Sequence, residues 1–112
     1  MALTRDFKQT VLARVQRDAS FRKELLREGV ESLIAGDIDT GKAILRDYIN
    51  ATIGFQELAE VTRLPAKSLM RMLGPSGNPK ARNLFEIVST LRDREHVQFK
   101  LKALAASASH RS

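Results

Sequence analysis

Apolar residues recur along most of this chain at helical spacing. Phe7, Val11, Leu12 and Val15 stand between polar neighbours and predict a first helix, with Thr4 or Asp6 as its N-cap. Asp18-Ala19 interrupts that pattern and Ser20 offers a fresh cap. Phe21, Leu25, Leu26, Val30, Leu33 and Ile34 then predict a second helix running to Gly36. Asp37 and Asp39 suit a helix N-terminus, and Ala43, Ile44, Leu45, Tyr48, Ile49 and Ile53 outline a third helix ending near Gly54. Two short patterns follow, Leu58-Ala59-Thr62 and Leu69-Met72-Leu73, separated by a tight turn around Leu64-Pro65. Gly74-Pro75-Ser76-Gly77-Asn78-Pro79 is a loop, with Pro79 placed to open a last helix whose core face is Leu84, Phe85, Ile87, Val88 and Leu91.

From Val97 the period drops to two. Val97, Phe99 and Leu101 alternate with Gln98, Lys100 and Lys102, which predicts a short strand. The fold class is therefore all-α, a bundle of about six helices with a short C-terminal strand. One domain spans 1–104, and the small, polar tail at 105–112 is expected to be disordered. A lone strand finds no partner inside a helical monomer, so its edge predicts pairing with a second copy, a homodimer.

Composition narrows the class. Apolar residues make up 43% of the 112 positions and charged residues 29%, a globular balance that suits one modest core. There is no cysteine, which excludes disulfides and thiolate metal sites. No apolar run reaches the roughly 18 residues of a membrane span, so the expectation is a cytoplasmic protein without a membrane partner. The net charge of +6 is unevenly placed: residues 1–62 hold 9 Lys/Arg against 10 Asp/Glu, and residues 63–112 hold 10 against 3. A polyanion would meet the C-terminal half.

Residues 55–74 fit the requirements of a helix-turn-helix. Such a unit braces one helix against a second across a tight turn and leaves the second helix's outer face free for the DNA major groove. Ala59 is small enough for the crossing, Leu64 plugs the turn, and Leu69 and Met72 face inward. Pro65 denies helical geometry to Leu64, so the turn is forced. Glu57-Leu58-Ala59, the turn and Lys67-Ser68-Leu69 resemble the lambda-repressor-like helix-turn-helix family. Together with Asp47-Tyr48-Ile49-Asn50, Gly74-Pro75-Ser76-Gly77-Asn78-Pro79 and Asn83-Leu84, the chain looks like the addiction-module antidote proteins, the antitoxins of toxin–antitoxin operons. Arg63 departs from that pattern, because the family commonly has glycine there. A left-handed backbone at Arg63 would cost roughly 1–2 kcal/mol.

The resemblance implies that helix 66–73 enters the major groove of double-stranded DNA. Its base-facing residues would be Ala66, Lys67, Ser68, Met70 and Arg71. Lys67 and Arg71 lie four apart on one face, and arginine reaches guanine O6 and N7 with two hydrogen bonds. Gly77, Asn78, Lys80, Arg82 and Asn83 gather at the start of the following helix, where amides and dipole favour a phosphate. The expected function is a sequence-specific transcriptional regulator, a repressor. The alternative is an antitoxin whose main role is to bind a small toxin protein, with DNA binding serving autoregulation.

Other motifs carry less. Gly36-Asp37-Ile38-Asp39-Thr40-Gly41-Lys42 has phosphate-loop spacing, but Ala43 stands where magnesium needs a hydroxyl, and the two aspartates would repel phosphate. A calcium loop starting at Asp37 would place Tyr48 at the glutamate position. His96 is expected to mark a helix C-terminus, His110 lies in the tail, and Tyr48 reads as a core residue with a bonded hydroxyl. No nucleophile, base and orienter combine, so neither enzyme activity nor a cofactor is expected.

Overall fold

Asp18 separates the first two helices. Its amide bonds Arg14 O at 2.8 Å, closing α1 (Arg5–Arg17), while its carboxylate accepts from Phe21 N at 3.1 Å and opens α2 (Ala19–Ile34). The N-cap is thus Asp18 and not Ser20. The computed structural model describes residues 5–106, with side chains from residue 9 onward. Asp6 lies within α1 and is not its cap, whereas the expected cap Thr4, the Phe7 side chain and positions 107–112 of the tail lie outside the described residues.

Gly36, at φ +89, turns the chain into α3 (Ile38–Ala51), whose N-cap Asp37 accepts from Thr40 N. Gly54, at φ +80, turns it again into α4 (Phe55–Thr62). Then come α5 (Ala66–Met72) and α6 (Ala81–Glu95). The described residues form six helices and no strand, an all-α fold.

The core gathers one stripe from each of α2 to α6: Leu26, Leu45, Ile49, Leu58, Leu69, Leu73, Ile87 and Leu91 are fully buried. α2 and α3 pack most extensively against each other. Gly41 serves that crossing: a Cβ there would press on the Leu33 side chain and sit 3.1 Å from Gly29 O. Of the two glycines of the phosphate-loop-like stretch, Gly36 makes the turn and Gly41 is a packing residue.

Three further expectations are corrected. Phe85 is 66% exposed instead of lining the core. Leu84, Ile87, Val88 and Leu91 share one helical face, and Phe85 stands about 100° away from it. Pro79 does not open α6; Lys80 is its N-cap and Ala81 its first residue. Residues 97–106 carry no regular secondary structure, so the strand expected at 97–101 does not form within the chain. A ladder needs a second extended segment, and α1 to α6 supply none; Val97 and Phe99 pack instead onto the helical core.

Candidate nucleic-acid interface

The turn between α4 and α5 rests on a strained residue. Arg63 caps α4 in the left-handed region (φ 62, ψ 26), with its amide bonded to Ala59 O at 2.8 Å. Leu64 N bonds Thr62 Oγ1 at 3.3 Å, and the Leu64 side chain packs on the core. Pro65 (φ −60, ψ 140) is the N-cap of α5, and its carbonyl accepts from Leu69 N at 3.0 Å. The arginine strain is therefore accommodated, and two helices meet across a turn of three residues.

Leu69 anchors the inner face of α5 and is fully buried. Lys67, Met70 and Arg71 project from the other side, Met70 being 43% exposed. Ser68 is half-buried, and Ala66 packs against the core.

After α5 the chain folds back tightly. Gly77 N bonds Gly74 O at 3.0 Å, and the Gly77 backbone lies so close to the end of α5 that a Cβ would collide with the carbonyl oxygens of Arg71 and Met72. Only glycine permits this approach. The loop and α5 thereby enclose an open cleft of about 390 Å³, whose lining includes Ser68, Arg71, Gly77, Asn78, Lys80 and Asn83. The cleft thus joins two of the five residues expected to face bases with four of the five expected to face phosphate. Lys67, Met70, Ala66 and Arg82 are not part of its lining.

The electrostatics of this stretch are one-sided. Arg63, Lys67, Arg71, Lys80 and Arg82 are exposed, and no Asp or Glu occurs between residues 63 and 85. Among the described residues none of the five cations makes an ion pair or side-chain hydrogen bond. Elsewhere among the described residues Arg14, Arg22, Arg27, Arg92 and Arg94 each pair with a carboxylate, whereas Arg17, Lys23, Lys100 and Lys102 are exposed and unpaired but scattered along the chain. The start of α6 adds unengaged donors, because Lys80 supplies no side-chain cap and the first turn has no acidic residue.

Two supports were not legible in the sequence. Lys42 Nζ donates to Gly77 O at 2.7 Å, and Arg46 Nη1 donates to Leu73 O at 2.5 Å, so α3 grips the loop and the end of α5. Their one signal was a pair of cations four apart on α3, which an exposed helix face would show equally. The other support is Glu95, buried between Arg22, whose Nε lies 2.8–2.9 Å from both carboxylate oxygens, and the Tyr48 hydroxyl, which donates to Oε1. Burial, first, and this bond to Glu95 push the Tyr48 hydroxyl pKa upward. Arg94 bonds Glu57 at 2.5 Å and ties α6 to α4. His96 ends α6 in a left-handed conformation (φ 56), as its position implied.

Compared with protein families, curated proteins and solved structures, the chain matches none.

Proposed function

We propose that the protein is a sequence-specific DNA-binding transcriptional regulator, a repressor, that lays α5 in the major groove and holds a flanking phosphate in the cleft beside it. The observation that carries this reading is the tract of five exposed cations at residues 63–82 without an internal counter-charge. A cationic surface left unneutralised by its own protein is available to a polyanion. Within it, Arg71 is the base reader and Lys67 its neighbour on the same face, while Asn78, Lys80 and Asn83 position the backbone. The resemblance to lambda-repressor-like proteins supports the same assignment. The role is binding, with no catalysis and no cofactor, and it places the protein in the cytoplasm; no helix among the described residues is long and apolar enough to cross a membrane.

The test is a binding titration with duplex DNA flanking the protein's own gene. The expected result is a preference over random duplex at moderate salt, lost when Lys67 and Arg71 are both replaced by alanine while the helical circular dichroism stays. One bidentate base contact is worth about 1–3 kcal/mol, so the double variant loses at least about fivefold in specific affinity. Equal affinity of the native protein for operator and random duplex sinks the reading.

A second reading, an antitoxin that binds a small toxin protein, is favoured by one observation. Val11, Leu12, Val15, Leu25 and Ala51 line an apolar cavity of about 260 Å³ between α1, α2 and α3, with Asp47 and Asn50 in its wall. The cavity shares no lining residue with the cationic cleft, so the two surfaces are distinct. Co-expression with the product of the adjacent reading frame decides it: a stable complex that Leu12→Asp disrupts supports an antitoxin, and no complex leaves a stand-alone regulator.

A further inference from the structure

Lys42 is an unusual lysine. It is 3% exposed and stands in the second turn of α3, where a cation opposes the helix dipole. Burying an ammonium is costly unless strong acceptors replace its water. Its one hydrogen-bond acceptor is Gly77 O at 2.7 Å, and Asp39, whose carboxylate is almost wholly in solvent, stands 3.7 Å away as an ion-pair partner. Gly77 O is thus its principal partner. Arg46, one turn further along α3, donates to Leu73 O at the C-cap of α5, where helix carbonyls lack intrahelical partners.

These two bonds hold the two sides of one object. Leu73 closes α5, and Gly77 begins the part of the loop that carries Asn78 and Lys80. With no Cβ at Gly77, the loop is pressed against the last carbonyls of α5, and Lys42 and Arg46 draw it there from beneath.

We infer that Lys42 and Arg46 are positioning residues that lock the 74–80 loop against α5, setting the distance between the base-reading helix and the phosphate-binding edge of the cleft. The role rests on the DNA-binding reading and names two residues remote from the helix-turn-helix as determinants of its affinity. It also accounts for Gly77, whose replacement by alanine would force the loop off α5.

The experiment measures operator and random-duplex affinity across a salt series for the native protein and for Lys42→Met, Lys42→Arg and Gly77→Ala, with urea unfolding of each. Lys42→Met is expected to weaken both duplexes about tenfold and, because the released loop carries Lys80 off its phosphate, to lower the slope of log K against log salt by about one, leaving the preference for operator unchanged. Lys42→Arg restores most of the affinity and the slope, and Gly77→Ala reproduces the loss without touching Lys42. Folded variants with native affinity and slope overturn the inference, as does a loss that follows stability alone with the slope unchanged. A native protein that binds no duplex removes the DNA reading and this role with it, whereas native binding with indifferent variants removes this role alone.

Discussion

Arg63 holds a backbone conformation that glycine adopts freely and an arginine reaches only with its Cβ crowded against a carbonyl oxygen. The same residue is one of the five uncompensated cations beside α5. Strain and charge therefore oppose each other at one position. Arg63→Gly is expected to raise the unfolding free energy by about 1 kcal/mol, somewhat less than the full strain because glycine also loosens the unfolded chain. In the DNA reading it also lowers the salt slope of binding by up to about one. Urea midpoints and a salt titration on the same sample check both halves. A variant that loses stability would mean that the Arg63 side chain has a compensating contact. His96 is the second non-glycine residue in this region, and histidine tolerates it better.

Among the elements, α6 depends on one buried carboxylate. Glu95 binds Arg22 of α2 and Tyr48 of α3, and Arg22 Nη1 also donates to Val15 O at the end of α1, so four helices meet there. Arg22→Ala leaves the carboxylate with the tyrosine alone and should cost about 3 kcal/mol, at the low end for a broken buried pair because the Arg22 side chain is still 26% exposed. The pH dependence has a definite sign. Folding raises the Tyr48 pKa above its ordinary value near 10, so the native state keeps a proton that the unfolded chain releases. The resulting stability is fully present below pH 10 and is lost as pH rises beyond it. Tyr48→Phe should weaken the protein at neutral pH by about 1–2 kcal/mol, through the hydrogen bond that Glu95 loses, and should flatten the alkaline decline. Thermal melts at pH 8 and pH 11 measure the two effects; an equally steep decline in the phenylalanine variant would place its origin elsewhere.

This cluster also marks how far the sequence could be read at this scale. Helix existence and order followed from apolar spacing, because residues at i, i+3, i+4 and i+7 have only one way to be buried together. The turn at Leu64-Pro65 followed from proline sterics, which are local. The roles of Glu95, Lys42 and Arg46 left no mark in the pattern, since their partners lie 73, 35 and 27 residues away in the chain and no periodicity encodes such pairs. Phe85 failed in the opposite direction: an apolar residue next to a core stripe was counted into it, although its angle on the helix points outward.

At the level of the whole molecule, the segment after His96 is the place where pattern and fold disagree, and the disagreement is chemically informative. Alternation at 97–101 has the form of a strand, yet the folded chain offers it no ladder. Val97 and Phe99 find burial against the core, while Leu101 and Leu104 stand 81% and 78% exposed, and beyond Val97 N no backbone bond between residues 97 and 106 is formed among the described residues. An unpaired backbone edge is what a second copy of the same segment would cover strand to strand, with Leu101 and Leu104, three residues apart, shielded on its opposite faces. In the DNA reading, a symmetric dimer is also what a pseudo-palindromic operator would require, with one helix-turn-helix for each half-site. The full chain is therefore expected to sediment as a dimer at micromolar concentration, and replacing Leu101 and Leu104 with lysine should yield a folded monomer. That monomer would retain weak binding to a single half-site and lose the joint occupancy of two half-sites about 34–36 Å apart. Its loss of affinity for the full operator should exceed its loss for a half-site, because only the full operator gains from linked binding. A native protein that sediments as a monomer, or a lysine variant that remains dimeric, would remove 97–104 as the pairing edge and direct attention to the exposed Phe85 face of α6 instead.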